Sequence, residues 1–380
     1  LTGLEREKIE QEYNELQKTI ARLRAILADE SKLMGVIRDE LLEVRRKYAD
    51  ERRAEIVAQS DDIDIEDLIA EEEVVITLTH AGYIKRQPLS SWRNQKRGGR
   101  GLTALNTRED DFVEHLFIAS THTNVLFFTD RGRVYRLRGH EIPESSRNAR
   151  GSALVNLIEL DKGERVQATL MVDHYDDDRY LFMATRQGLV KKTVLSEYDS
   201  SFKGLIAINL DDDDELVDVA ITDGTCEVIL VTRQGQAIRF TEDDVRPMGG
   251  ATRGVRGITL EKGDYVVGFD VVEPDKDLLV ATTMGYGKRT ALSEYRPIRR
   301  GGKGVRTIQL TPRNGEVAGV TVVDEADEIM FITLEGIMIR MSVSDVSCMG
   351  RSTQGVRLMK LEENDSLVAL AHVVRQEDDE

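Results

Sequence analysis

Val125-Leu126-Phe127-Phe128-Thr129-Asp130-Arg131-Gly132-Arg133-Val134-Tyr135-Arg136-Leu137 is the stretch that decides the fold. Two short apolar runs flank a polar four-residue loop ending in glycine, which is the composition of a β-hairpin. A loop of that length commonly carries a type I turn and then a residue in the left-handed region, where glycine costs least. The same Thr-x-x-Gly turn recurs at Thr79 to Gly82, Thr185 to Gly188, Thr232 to Gly235, Thr282 to Gly285 and Thr333 to Gly336, six copies in all at a period of 47 to 56 residues.

Two further columns travel with the turn. Seven residues after each Thr stands a base: Arg86 (preceded by Lys85), Arg136, Lys192, Arg239, Arg289 and Arg340. Twenty-two residues after the Thr stands a second glycine in five repeats, at Gly101, Gly151, Gly254, Gly304 and Gly355, while the third repeat has Gly204 at nineteen. Repeats of about 50 residues with four short strands each suit blades set radially around an axis, which leave only short, protected sheet edges. The chain is therefore expected to be mainly β, with one base at every sixth of a circle. On the outer edge those bases would meet phosphates, or would act as edge charges that block strand-to-strand aggregation.

Before Val74 the period is helical. Ile9, Tyr13, Leu16, Ile20, Leu23 and Leu27 alternate spacings of four and three, and Met34, Ile37, Leu41, Val44 and Tyr48 repeat the pattern after Asp29-Glu30-Ser31, a polar break suited to capping a new helix. Residues 1–58 read as two helices with heptad seams, 59–73 as an acidic linker, 74–374 as the repeat domain and 375–380 as an acidic tail.

A chain of 380 residues with 40% hydrophobic and 32% charged residues exceeds one ordinary core and belongs with globular proteins. Its first residues are charged, and no apolar run approaches the roughly 20 residues a bilayer requires, so a cytosolic protein is expected. The two cysteines, Cys226 and Cys348, are far apart and form neither a disulfide framework nor a zinc ribbon; both read as buried small apolar residues. The histidines show no ligand spacing, and Gly285-Tyr286-Gly287-Lys288 lacks the spacing of a phosphate-binding loop and reads as the fifth hairpin turn. No metal site, catalytic group or bound cofactor is expected.

The net charge of −17 argues at first against a polyanionic partner. The acids are clustered, however, in Asp61-Asp62-Ile63-Asp64-Ile65-Glu66-Asp67, Asp176-Asp177-Asp178, Asp211-Asp212-Asp213-Asp214-Glu215 and the tail, whereas Gly82 to Gly101 carries Lys85, Arg86, Arg93, Lys96, Arg97 and Arg100 with no acid. Within it, Gln95-Lys96-Arg97-Gly98-Gly99-Arg100-Gly101 combines three glycines, which expose backbone N–H groups, with three cations, a set suited to a phosphodiester backbone.

That stretch resembles the seven-residue box of the C-terminal domain of the bacterial DNA gyrase A subunit, usually written Q-R-R-G-G-K-G, with Lys96 and Arg100 as conservative exchanges. The resemblance extends over almost the whole chain. It implies a six-bladed β-pinwheel, a propeller-like fold that exchanges strands between neighbouring blades, preceded by two α-helices of a coiled-coil arm. It further implies double-stranded DNA as partner, wrapped with positive handedness through the box and without base readout. The gyrase B subunit would complete an A2B2 heterotetramer with a second A subunit, in the bacterial cytoplasm at the nucleoid. The holoenzyme would be an ATP-hydrolysing type II topoisomerase. ATP and Mg would belong to the cleavage core and the B subunit, while the cleavage tyrosine would lie ahead of residue 1. Arg299-Arg300-Gly301-Gly302-Lys303-Gly304 is a partial echo of the box, with Ile298 in place of its glutamine. The rival within the family is the A-type subunit of topoisomerase IV, whose box is degenerate or absent. The rival from another class is a protein-binding propeller of WD-repeat or kelch type, against which the single Trp92 and the lack of Gly-Gly-aromatic signatures weigh.

Overall fold

The structure is a computed structural model that describes residues 2–49, 68–79, 81–89, 113–146, 149–200, 204–334, 337–362 and 365–373. The chain divides into two compact units, residues 1–63 and 64–380.

The first unit contains the helices Thr2–Leu27 and Glu30–Tyr48. Asp29 caps the second, its carboxylate accepting from the N–H groups of Ser31 at 3.0 Å and Lys32 at 3.4 Å. The heptad side chains are uncovered among the described residues: Leu16 is 55% and Leu41 63% exposed. No helix of the described residues is long and apolar enough to cross a membrane.

The second unit is a set of six antiparallel sheets. Each of the first five blades runs, from the axis outward, through an inner strand, the two hairpin strands and a short outer strand. In the second blade these are Val166–Val172, Asn124–Thr129, Arg133–Arg138 and Gly204–Ile206; in the fifth, Val317–Val323, Asp277–Thr282, Tyr286–Ala291 and Val356–Arg357. The outer strand of each of these blades is supplied by the following repeat, so neighbouring blades exchange strands. The sixth blade has three strands among the described residues, Leu367–Val373, Glu328–Thr333 and Met338–Ser342.

Local chemistry accounts for the turn. The buried threonine does more than fill space: Thr129 Oγ1 accepts from Arg133 N at 3.3 Å and Thr232 Oγ1 from Gln236 N at 3.2 Å, while the turn glycine N–H returns to the threonine carbonyl at 3.0 and 2.9 Å. Gly132 has φ +73°, and a Cβ there would come within 2.9 Å of the Ile208 side chain and nearer still to its carbonyl oxygen. The second glycine column has a comparable origin. Gly304 (φ +76°) lets the outer strand Val305–Arg306 approach the hairpin strand Gln236–Thr241, and a Cβ would lie 2.8 Å from the carbonyl carbon of Ala237. Gly204 pairs with Tyr135 and so holds the column position despite its shorter sequence offset.

The cores lie between blades. Val74, Ile76, Phe127 and Ile142 join the first blade to the second, and Phe182, Leu230, Phe240 and Phe269 join the third to the fourth. A strand flanked by sheets on both faces buries both sets of side chains, and Asn124–Thr129 is accordingly buried at every position. The expectation of buried cysteines is corrected: Cys348 is exposed and Cys226 half-buried.

The axis carries one unusual carboxyl. Asp218, on the inner strand Leu216–Thr222, is pushed up to about 7 by burial and by the neighbouring Asp270, against a hydrogen bond from Val219 N–H. Its folded value lies above its unfolded one, so its contribution to stability is fully present at low pH and is lost as pH rises through 7. Between pH 6 and 8 the intact chain should lose about 1 kcal/mol from this group. Urea denaturation at both pH values should show that increment missing in Asp218→Asn; an unchanged pH dependence would refute the assignment.

Candidate nucleic-acid interface

The base column does not stand free on the outer edge, and that expectation is corrected. In each of the first five repeats the side chain reaches the short 3-10 helix of the next blade, or the residue that ends it. Arg86 Nε donates to Ile142 O at 2.7 Å, and Arg136 pairs with Asp199 at 3.6 Å. Lys192 Nζ donates to Glu242 O at 3.2 Å, Arg239 Nη1 to Leu292 O at 2.7 Å, and Arg289 Nε to Val346 O at 2.8 Å. Ile142 O and Val346 O lie just past the end of their 3-10 turns, and Glu242 O and Leu292 O at the start of theirs; each thereby gains a charge-assisted hydrogen bond, stronger than a neutral one.

A carboxylate completes the neutralisation. Arg86 pairs with Glu144, Arg239 with Glu227, and Arg289 with Asp277 at 3.2 Å and Glu325 at 2.8 Å. Lys192, whose side chain is 5% exposed, lies 3.6 Å from the fully buried Glu242 carboxylate, which also accepts from Cys226 N and Thr222 Oγ1. Breaking such a buried pair from one side is costly. These five residues therefore staple blade to blade. Arg340, in the last repeat, pairs with Glu328 but keeps its side chain 58% exposed.

Lys85 is also enclosed. Its ammonium donates to Ser146 O at 3.2 Å and Ala149 O at 3.0 Å. Its counterparts in the third and fifth repeats behave alike: Lys191 donates to Ala207 O at 2.6 Å and Gly250 O at 2.5 Å, and Lys288 to Gly350 O at 2.6 Å and Arg351 O at 2.8 Å. Burial pushes Lys191 and Lys288 down to about 8, with Glu197 and Glu294 respectively acting the other way. Glu197 and Glu294 in turn accept from Gly250 N at 3.1 Å and Arg351 N at 3.2 Å. Each of these two loops is thus gripped through both its N–H and its C=O groups.

The box, Gln95 to Gly101, lies outside the described residues. Its echo in the fifth repeat is held by side-chain contacts. Arg300 Nε donates to Asp244 O at 2.8 Å and its Nη1 to Arg256 O at 3.0 Å, while Lys303 pairs with Glu261 at 2.8 Å. Arg299 is exposed.

The open cations stand elsewhere. Arg256, Arg306 and Arg357 occupy the second position of the outer strands of the third, fourth and fifth blades and are exposed, as are Arg246 and Arg296 just after the 3-10 helices. A signal for them is present in the sequence: Gly-Val-Arg occurs at 254–256, 304–306 and 355–357, and Arg-Pro at 246–247 and 296–297. Successive outer strands therefore present a line of arginines at the sheet edges, suited to phosphates rather than to base edges.

The family described as DNA gyrase C-terminal domain, beta-propeller, matches residues 73–120, 123–173, 179–223, 227–273, 276–324 and 327–373, one match per blade. Over its whole length the chain is 52% identical to the DNA gyrase A subunit of Clostridium acetobutylicum and 54% identical to that of Halalkalibacterium halodurans, covering 46% of each. It thus spans about half the length of these curated relatives. Among solved structures, the C-terminal domain of DNA topoisomerase IV superposes with a TM-score of 0.71 at 29% identity, covering 80% of this chain and 94% of that one. A DNA gyrase A C-terminal domain superposes with a TM-score of 0.64 at 27% identity, covering 80% of this chain and 100% of that one.

Proposed function

Because the chain belongs to the DNA gyrase C-terminal domain, beta-propeller, family, we propose that its blades bind duplex DNA along their outer edges and bend it with positive handedness. The observation that carries this reading is the exposed arginine line Arg256, Arg306 and Arg357 on successive outer strands, continued by Arg299 on the echo loop. Each contact neutralises a phosphate and releases counterions, and the sum offsets a bending cost on the order of 1–6 kcal/mol per 20–30 base pairs. Among the described residues the blades carry no helix longer than a 3-10 turn that could enter a major groove, so binding is nearly indifferent to sequence. In this reading the stapled column and the buried lysines hold blades and loops in place, and the box Gln95 to Gly101 fixes the sense of the bend. Within a complete type II topoisomerase of the bacterial cytosol, with ATP and Mg handled by the cleavage core and a B subunit, the curved segment would be the one passed through the gate.

The test uses relaxed circular duplex with a nicking-closing enzyme and the 380-residue chain. Trapped positive writhe should grow with protein, and log affinity should fall linearly with log salt, equally for unrelated sequences. Tight binding that traps no writhe would reduce the domain to a passive tether, and no duplex binding at all would sink the reading. Arg256→Gln and Arg306→Gln should each lower the salt slope by about 0.9, whereas Lys192→Met should lower stability and leave that slope unchanged.

A further inference from the structure

The fifth blade carries a basic cluster of a different construction. Tyr286 opens the hairpin strand Tyr286–Ala291 and stands directly opposite Arg357 on the outer strand. Its phenol oxygen accepts from Arg357 Nη2 at 3.0 Å and from Arg313 Nε at 3.0 Å. Both guanidiniums also lie against the ring, 5.5 and 5.4 Å from its centre. Two cations sharing one acceptor are held close enough to repel, and neither forms an ion pair among the described residues. Hydrogen bonds from Arg357 and then Arg313 hold the Tyr286 hydroxyl below its usual range, as expected where positive charge is left unbalanced.

The pair is built, not incidental. Asn314, beside Arg313, is 1% exposed, and its side-chain amide donates to Gln309 O at 2.9 Å and Gln354 O at 3.0 Å. Its carbonyl oxygen accepts from Thr311 N at 2.6 Å. Gln354 leads into the strand that carries Arg357, so one buried amide ties both arginine-bearing segments together, the kind of support a preorganised site needs. A groove of about 540 Å³ opens beside them, lined also by Lys360 and by the acidic Glu362 and Asp365. The equivalent cross-strand pairs in the other blades are Tyr83 with Ala153, Arg133 with Ile206, Leu189 with Arg256 and Gln236 with Arg306. Among the described residues, only the fifth blade pairs a tyrosine with an arginine there.

We propose that Arg313 and Arg357, spaced by Tyr286, seat one phosphate group at the outer edge of the fifth blade. Each guanidinium keeps N–H groups that the phenol does not use, and two forks converging on a tetrahedral anion are the geometry in which arginine surpasses lysine. Tyr286 is a positioning residue: it sets the gap between the forks and carries no charge to the ligand. A duplex phosphodiester is the source that follows from the proposed function, on which this part of the inference rests. Free inorganic phosphate has the same chemistry.

The experiment has two arms on the 380-residue chain. In the first, duplex affinity is titrated against salt for Arg313→Gln, Arg357→Gln and Tyr286→Phe. Each arginine variant should weaken binding roughly 3- to 10-fold and lower the salt slope by about 0.9. Tyr286→Phe keeps the ring and every charge, so affinity should fall about 2- to 3-fold with the slope unchanged, which a merely structural role would not separate. In the second, inorganic phosphate alone is added and the arginine Nε–H resonances are followed. Lowered slopes assign the seat to the DNA backbone. Unchanged slopes with shifted Arg313 and Arg357 resonances assign it to free phosphate, and the absence of both effects overturns the proposal. If the unaltered chain binds no duplex, the DNA reading falls, and the phosphate arm still decides whether the seat exists.

Discussion

Alanine at all seven positions from Gln95 to Gly101 is expected to abolish the positive writhe proposed for the chain on a relaxed circle while leaving duplex binding measurable. The two effects separate because they have different physical sources. Affinity is a sum of phosphate contacts, each adding a modest electrostatic increment, and the arginines on the outer strands survive the substitution. The sense of the bend requires the duplex to be held at more than one point on a defined path, and removing one set of contacts leaves several paths of similar energy. The expected loss of affinity is roughly 10-fold at most, with a salt slope lower by about 2 to 3 as Lys96, Arg97 and Arg100 are removed. In a complete gyrase the same change would remove ATP-driven negative supercoiling and spare relaxation. A topology assay beside a binding titration decides it. Writhe that persists at saturating protein would show that the box is a solvated loop with no part in the path.

Gly304→Ala is expected to destabilise the propeller by about 2–4 kcal/mol, among the largest effects of any single substitution in the repeat domain. Two costs add. The residue has φ +76°, which a Cβ penalises by itself, and the new carbon would lie 2.8 Å from the carbonyl carbon of Ala237 and closer to its oxygen. The outer strand Val305–Arg306 would have to withdraw from the fourth blade, carrying Arg306 and the echo loop with it. Gly263→Ala isolates the first cost, because Gly263 has φ +79° and nothing within 4 Å of its added carbon. That variant should lose only about 1 kcal/mol. Urea denaturation of the two variants side by side is the measurement. Equal losses would mean that backbone conformation alone accounts for the glycine column. Duplex affinity should fall for Gly304→Ala and hold for Gly263→Ala.

The turn, the repeat and the blade number were legible because they are local. Thr129 and Arg133 are four residues apart, and a hydroxyl that closes its own turn leaves its signature within the turn. The strand exchange between blades is marked in the same way, since the outer strand begins at a glycine that must accept a close approach. The box, a run of glycines and cations without acids, lies outside the described residues.

What each cation does was not legible, because its partners come from other parts of the chain. Arg86 looks like a free edge charge in sequence, yet its guanidinium meets Ile142 and Glu144, 56 and 58 residues on. Lys191 and Lys192 are adjacent and identical in type, and the first grips a loop of the next repeat while the second is spent on the buried Glu242. The phenol of Tyr286 gathers arginines 27 and 71 residues away. Periodicity and turn chemistry act over a few residues, so the sequence by itself determined the six blades and where their strands lie. Electrostatic neutralisation acts through space, so only the tertiary structure decided which of the bases are staples and which remain open to an anion.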